Sequence, residues 1–175
     1  LSAKIVGNLQ VELEMGKPLF SFEDIPLSKT VNPADISLKI NDKIFSNGFC
    51  VNIGNPHIIF FVKNCFEYDL KIIGPKIENH DLFPEKTNVT FADVIDKNNI
   101  KVSVWERGAG LTKACGTAAC ATAVASFSKN LTEREVHIAF DQGSLKIEYD
   151  NDKNIFMTGP VSKIKKVDIL SLIHI

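Results

Sequence analysis

The sequence places one cysteine where a helix should begin. Cys115 follows a loop, Gly108-Ala109-Gly110, and precedes an alanine-rich run that ends at Ser128. The first backbone N–H groups of a helix have no partner inside the helix, so they favour anions. They should also stabilise a thiolate and lower the pKa of this cysteine. These residues therefore predict an anion-binding pocket beside a reactive thiol.

The residues around Cys115 could hold the rest of a ligand. Glu106 and Arg107 are an adjacent acid and base at the end of an expected strand, and Gly116 would let a ligand approach the backbone closely. Each feature also has a simpler interpretation. A cysteine in an alanine-rich helix is often a small core residue, and neighbouring charges on a strand, which point to opposite faces, are often solvated. The residues alone leave both interpretations open.

Two more polar positions follow or begin expected strands. Gly54-Asn55-Pro56-His57 follows one strand, and Asn88 begins another. Glycine, asparagine and proline are all turn formers, so taken alone this segment is expected to be a plain turn, with His57 a hydrogen-bonded histidine without a role. Asn88 taken alone is expected to be a surface residue.

The four cysteines do not fit a zinc site, because no Cys-x-x-Cys pair is present. Cys115 and Cys120 would lie about 140° apart on a helix and could not share a ligand. A chain this long and apolar has no need of disulfides. Four free thiols are expected, with Cys50, Cys65 and Cys120 as core residues.

The hydrophobic pattern predicts many strands and two helices. The run 114–128 is apolar on nearly every face, so it should be buried on every face, and 69–79 should form a shorter helix. The predicted fold is therefore α+β, a mixed or antiparallel sheet wrapped around a central apolar helix at about 114–128. A hairpin around the turn Asn41-Asp42 is expected at 37–44. Strands are expected at 9–15, 50–53, 58–62, 88–96, 100–106, 136–140, 145–149 and 155–167.

Composition excludes several classes of function. The chain has 175 residues, of which 45% are hydrophobic, and its formal net charge is −1. It therefore lacks the basic footprint of a nucleic-acid-binding protein. Apolar runs such as 58–62 are too short to cross a bilayer, and no signal peptide is recognisable at the start. A cytoplasmic protein with no membrane partner is expected.

Taken together, these segments resemble the diaminopimelate epimerase family in their order and spacing. The Glu-Arg-Gly-x-Gly stretch favours this family over proline racemases and phenazine-biosynthesis isomerases, which share the fold. Leu111 and Ala118 depart from the family, which usually has Glu and Gly there. The matching segments are 55–57, 88, 106–110 and 114–117, with weaker matches at 15–18 and 157–160.

The resemblance implies a role for each matching residue. Cys115 would be one of two catalytic cysteines, and the amides of Gly116 and Thr117 would hold the carboxylate at the reacting carbon. His57, together with Glu106, would orient or polarise the reacting groups. Four side chains would hold the distal amino-acid end of the substrate: Asn55, Asn88, Glu106 and Arg107.

The implied reaction interconverts LL- and meso-diaminopimelate, on the route to lysine and peptidoglycan, without a cofactor or a metal. Inversion of a stereocentre by proton transfer needs a base on one face and an acid on the other. The family supplies its first cysteine from a Cys-Gly-Asn-Gly segment in an N-terminal lobe, and this sequence contains no such segment. Since the chain begins with Leu1 rather than Met, we expect a fragment that is inactive alone.

The expected organisation follows from the two-lobed family. Residues 1–25 would end the N-terminal lobe, 26–160 would form the C-terminal epimerase lobe, and 161–175 would return to the first lobe. The expected partners are the small-molecule substrate and the missing lobe, with a homodimer left open. Two alternatives stay open as well: another isomerase of the same fold, and a lobe that binds an amino acid or a protein without turnover.

Overall fold

The computed structural model describes residues 2–162, which form a mixed sheet of eleven strands with two α-helices and a short 3₁₀ helix. Helix α1 spans Leu70–Glu78 and helix α2 spans Gly116–Ser128; the 3₁₀ helix is Cys65–Glu67. The strands are β1 Ala3–Gly7, β2 Gln10–Gly16, β3 Ile36–Ile40, β4 Lys43–Asn52, β5 Pro56–Phe61, β6 Asn88–Asp96, β7 Asn99–Glu106, β8 Gly110–Thr112, β9 Glu135–Phe140, β10 Gly143–Tyr149 and β11 Ile155–Pro160.

The strand order is β1-β2-β11-β10-β9-β7-β6-β5-β4-β3, with β8 paired to β7. Two neighbouring pairs are parallel, β5 with β6 and β7 with β9, and the others are antiparallel. The predicted mixed sheet is confirmed. The parallel pairing of β5 and β6 sets His57 directly beside Asn88, because both residues lie near the start of their strands.

Helix α2 contributes most of its residues to one of the two hydrophobic clusters. Nine successive residues, 118–126, are buried, and the helix contacts β4, β5, β6, β9, β10 and β11. It begins at Gly116 rather than at the predicted residue 114, because Cys115 has extended backbone (φ −146°, ψ 114°) and acts as the N-cap. The cysteine therefore lies immediately before the first helical turn and is not part of that turn.

A second cluster packs beneath β5, β6 and α1. Its centre is aromatic: the ring of Phe91 lies 5.8 Å from that of Phe60 and 5.5 Å from that of Phe45. Such pairs are worth roughly 1 kcal/mol each beyond the area that they bury. This packing fixes β5 and β6, and with them the polar residues at the starts of the two strands.

Several sequence expectations needed correction. Strands β1 and β8 were not predicted. The expected hairpin at 37–44 is present as β3 and the start of β4, but β4 continues to Asn52 as one ten-residue strand that includes most of the expected strand 50–53. Strand β11 ends at Pro160, and most of the expected return strand, 163–175, lies outside the described residues. All four cysteines are free, as predicted; the three expected core cysteines are buried, and Cys115 is buried as well. Neither α-helix of the described part has the length and hydrophobicity that crossing a membrane requires.

Candidate active site

Cys115 lies at the N-terminal end of α2 with part of its thiol surface reachable. The residue is 8% exposed, and its Sγ lies 3.5 Å from the hydroxyl oxygen of Thr117. The carbonyl of Cys115 accepts the first helical hydrogen bond, from Ala119 N–H at 3.0 Å. Within residues 2–162, the backbone N–H groups of Gly116 and Thr117 have no recorded partner. The structure thus leaves two donors beside a thiol, which is the geometry of an anion site.

The expectation of a lowered pKa for Cys115 was wrong. Burial, the largest cause, raises the pKa of this thiol, and the charge and hydrogen bonding of Glu106 raise it further. The hydroxyl of Thr117 and the backbone N–H of Ala118 act in the opposite direction. The helix end does assist the thiolate, as predicted, but desolvation outweighs it because the charged form loses its water. The same contacts place the Glu106 carboxylate next to the thiol.

Gly116 has a packing reason to be glycine. A Cβ atom built on it would lie 3.0 Å from the sulfur of Met157 on β11. A side chain here would press against Met157 and alter the first turn of α2, which presents the N–H groups. The close approach between α2 and β11 therefore depends on this glycine.

His57 is fully buried and bonded to its neighbour. Its Nε2 lies 2.9 Å from Oδ1 of Asn55, and its Nδ1 has no partner within the described residues. Burial, and then the positive charge of Arg107, lower the pKa of His57 to about 3. The ring is therefore neutral near pH 7, and it can orient Asn55 without carrying charge.

Asn88 is buried, so the expectation of a surface residue was wrong. Its Nδ2 donates to the carbonyl of Pro56 at 2.8 Å, and its Oδ1 accepts from the backbone N–H of Arg107 at 2.9 Å. The side chain thus ties β5 to the turn after β7. This bridge joins the Asn55–His57 segment to the Glu106–Arg107 turn.

Arg107 is exposed and has donors to offer. One guanidinium nitrogen, Nη1, donates to the carbonyl of Glu85 at 2.9 Å, and no carboxylate is paired with it in the described part of the chain. Arg107 lines a cleft together with Asn55, Asn52 and the acidic residues Glu23, Asp24 and Glu85. A guanidinium with unused N–H groups is suited to bidentate binding of a carboxylate.

Sequence reasoning missed Glu78, the last residue of α1. Its carboxylate is buried and accepts two hydrogen bonds, from the Trp105 indole N–H at 2.7 Å and from the backbone N–H of Gly108 at 3.0 Å. Only its position at the end of a short amphipathic helix was visible in the sequence. No local signal connects a glutamate there with a loop some thirty residues later.

The structure thus brings the predicted site residues into two adjoining groups. Cys115, Gly116, Thr117 and Glu106 surround the thiol. Asn55, His57, Asn88 and Arg107 form the hydrogen-bonded group beside it, and the peptide bond between Glu106 and Arg107 joins the two. No cluster of three histidine, cysteine, aspartate or glutamate side chains between residues 2 and 162 is placed to hold a metal ion.

Comparison with known proteins identifies the family. The family model described as Diaminopimelate epimerase matches residues 49–164. The chain is 56% identical over 172 residues to the diaminopimelate epimerase of Pelagibacter ubique, covering 97% of this chain and 63% of that protein. It is 44% identical to the diaminopimelate epimerase of Methanococcus maripaludis, covering 91% and 58%. The chain thus spans about three fifths of the length of these relatives.

Solved structures agree on the fold. A predicted epimerase from Pseudomonas aeruginosa is 16% identical with a TM-score of 0.59, covering 96% of this chain and 61% of that chain. A probable proline racemase from Agrobacterium radiobacter K84, solved with bound carbonate, is 10% identical with a TM-score of 0.61, covering 94% and 55%. At these identities the likeness concerns the fold alone.

Proposed function

The chain belongs to the diaminopimelate epimerase family, and we propose that it carries one half of the active site of an enzyme that interconverts LL- and meso-diaminopimelate. One observation carries the proposal: a thiol at a helix start, flanked by the N–H groups of Gly116 and Thr117 and by the carboxylate of Glu106. This arrangement can bind an amino-acid carboxylate and move a proton at the carbon next to it.

The proposed reaction has two proton transfers on opposite faces of one carbon. In one direction, the Cys115 thiolate removes the α-hydrogen, and the electron pair of the C–H bond passes into the adjoining carboxylate group. A second acid then delivers a proton to the other face, which inverts the centre. In the reverse direction, Cys115 begins as the thiol and acts as the acid. This is general acid–base catalysis without a cofactor or a metal.

The N–H groups of Gly116 and Thr117 would receive the negative charge that develops on the carboxylate. Donors that are already oriented stabilise such charge without reorganising, and they act more strongly where water is excluded. The raised pKa of Cys115 fits this scheme, because a thiolate of higher pKa is the stronger base toward a weakly acidic C–H bond. The pKa contributions of Thr117, Ala118 and Glu106 would then set how readily the thiolate forms.

The distal end of diaminopimelate carries a second carboxylate and a second ammonium group. Arg107 would bind this carboxylate, and Asn55, Asn88 and Glu106 would complete the pocket. His57 would hold Asn55 in place through its 2.9 Å contact, and would help, with Glu106, to polarise the reacting groups. Such a pocket would distinguish diaminopimelate from proline, the substrate named for a structural neighbour, because proline has no distal charged end.

The second catalytic cysteine is proposed to come from an N-terminal lobe outside these 175 residues. The lengths of the relatives support this, since the chain spans 63% and 58% of two of them. We further propose that the sheet wraps around α2, that 26–160 is the C-terminal lobe between 1–25 and 161–175, and that the enzyme works in the cytoplasm. The contacts of α2 with six strands support the first of these statements.

The test compares the 175-residue chain with a longer polypeptide that joins it to the N-terminal lobe of the Pelagibacter relative. Both are incubated with LL-diaminopimelate in deuterated solvent, and NMR follows α-hydrogen exchange and epimer formation. The longer polypeptide should form the meso isomer, and the chain alone should not. Epimer formation by the chain alone would contradict the two-lobe mechanism, and inactivity of the longer polypeptide would favour a binding lobe without turnover.

A further inference from the structure

Glu78 is a buried carboxylate in an electrostatically unfavourable place. It is 5% exposed and is the last residue of α1, where the helix dipole presents its negative end. No ion pair is recorded for it within residues 2–162, where the one recorded pair joins Lys146 and Glu135. A buried charge without a counter-charge needs strong hydrogen bonds to persist. The two groups that donate hydrogen bonds to Glu78 therefore indicate which part of the structure it holds in place.

Both hydrogen bonds of Glu78 go to the segment that carries the candidate site. Oε2 accepts from Trp105 and Oε1 accepts from Gly108, so the carboxylate spans the two residues between them, Glu106 and Arg107. The backbone N–H of Arg107 donates in turn to Asn88. The peptide N–H groups of two successive residues, 107 and 108, are thus held by two different side chains.

The packing of α1 makes this contact rigid. One turn before Glu78, a Cβ atom on Gly74 would lie 2.5 Å from the Trp105 ring, so the indole rests directly on the helix backbone. Gly110 lies near the six-membered ring of the indole: it has φ +92°, and a Cβ atom there would lie 3.5 Å from that ring. Residues four apart share one helix face. Gly74 therefore leaves room for the indole on the face where Glu78 accepts the hydrogen bond from its N–H.

We infer that Glu78 is a positioning residue: it aims the Arg107 guanidinium into the cleft where the distal carboxylate of the substrate would bind, an inference that rests on the proposed function. With its carboxylate fixed by Trp105, Glu78 holds the backbone on the C-terminal side of Arg107, and Asn88 holds it on the other side. A small rotation of either peptide would swing the long arginine side chain away. The residue touches no substrate and acts through Arg107.

The decisive variant is Glu78→Gln in the longer, two-lobed enzyme. The amide keeps the size of the carboxylate, but its NH₂ group must face one of the two N–H donors, so one bond is lost. We expect KM for diaminopimelate to rise about tenfold with kcat changed less than about threefold, because substrate binding through Arg107 is what weakens. Glu67→Gln is the matched control, at an exposed position on the 3₁₀ helix.

A double-mutant cycle separates positioning from general stability. If Glu78 acts through Arg107, Glu78→Gln should leave kcat/KM unchanged once Arg107 is already alanine. An equal loss on both backgrounds would overturn the inference, and so would no loss in the enzyme with Arg107 present. Should Glu78→Gln not fold, the same cycle with Trp105→Phe decides. That change removes the indole donor and part of the ring packing against Gly74 but keeps the bond between Glu78 and Gly108, so it should raise KM less.

An NMR measurement tests the positioning role of Glu78 independently of the proposed function. Trp105 is the one tryptophan of the sequence, so its indole N–H signal is assigned without ambiguity. In the 175-residue chain, Glu78→Gln should move the indole signal and the Gly108 amide signal upfield and increase the mobility of Arg107. Unchanged signals would overturn the positioning role, whatever the enzyme is found to catalyse.

Discussion

The two ends of helix α2 differ in how completely their polar groups are engaged. At the end of the helix, Arg134 donates to the carbonyls of Tyr149 and Asp150 and stacks on Phe127, with its guanidinium carbon 4.3 Å from the ring centroid. On the side of the candidate site, Arg107, the other of the two arginines in the sequence, follows Glu106 and makes a single side-chain hydrogen bond in the described residues, to the carbonyl of Glu85.

Other groups show the same contrast. At the C-terminal end, the hydroxyl of Ser126 in the last turn bonds to that of Thr132 beyond it at 2.7 Å, and the N–H of Leu131 donates to the carbonyl of Ser126. At the start, the N–H groups of Gly116 and Thr117 are without a partner in the described residues. One end is built for stability, and the other keeps donors available for a ligand.

The largest difference is expected between alanine variants of the two arginines. Arg107→Ala in the two-lobed enzyme should lower kcat/KM about 100-fold, since a charged hydrogen-bonded contact is worth roughly 2–3 kcal/mol, while the melting temperature stays nearly unchanged. Arg134→Ala should do the reverse, lowering the free energy of unfolding by about 2 kcal/mol with little effect on kcat/KM. Steady-state kinetics would measure kcat/KM and thermal unfolding would measure stability for both variants. Equal losses of kcat/KM in the two variants would refute the expected contrast.

The buried His57 should make the folding stability depend on pH. The pKa of His57 is lowered to about 3 by burial and by Arg107, whereas an unfolded histidine titrates near 6.5. The unfolded state therefore binds the proton first as pH falls, so stability is present above about pH 6.5 and is lost toward pH 3. Between pH 7 and pH 5 the loss should be about 2 kcal/mol, roughly 30-fold in the folding equilibrium.

Chemical denaturation at several pH values measures this loss. His57→Gln removes the titrating ring and should flatten the pH dependence between pH 7 and pH 5, whatever its effect on stability at pH 7. His137→Gln, at an exposed position, is the matched control and should keep the slope. An unchanged slope in His57→Gln would mean that the ring takes up its proton in the folded state.

A smaller effect is expected in the alkylation rates of two cysteines, one at the N-cap of α2 and one within the helix. Cys115 is 8% exposed and Cys120 is fully buried, with its pKa raised to about 12 by burial and by the charge of Cys115. In the 175-residue chain, iodoacetamide should modify Cys115 at least about tenfold faster than Cys120, since only an accessible thiolate reacts. Because burial also raises the pKa of Cys115, the rate should still be rising above pH 8. Peptide mass spectrometry would contradict this account if Cys120 reacted first.

Sequence predicted those parts of the fold that depend on local pattern. Asp69 and Asn79, expected at the two ends of a short helix, are the N-cap and C-cap of α1, and the Asp69 side chain accepts from Lys71 N–H. The turn at Asn41-Asp42 joins β3 and β4 as expected. The hydrophobic period of an element and the residues that form a turn are encoded within a few neighbouring residues. They could therefore be predicted without the structure.

The site was predictable in part for the same reason. The loop and helix around Cys115 are contiguous, so its place at the helix start followed from sequence. The raised pKa of Cys115, the burial of Asn88 and the contacts of Glu78 could not be predicted. Each depends on which distant strand or loop lies against the residue, and local pattern carries no information about that.

Exchange of the substrate α-hydrogen in deuterated solvent tests the proposal that Cys115 moves the proton at the α-carbon. We compare Cys115→Ser with Cys120→Ser in the two-lobed enzyme, with folding checked by circular dichroism. Cys115→Ser should lower epimer formation at least about 1,000-fold, whereas Cys120→Ser, whose hydroxyl can bond within the helix, should stay within several-fold of the parent. A folded Cys115→Ser enzyme that exchanges and epimerises at nearly the parent rate would contradict the proposal.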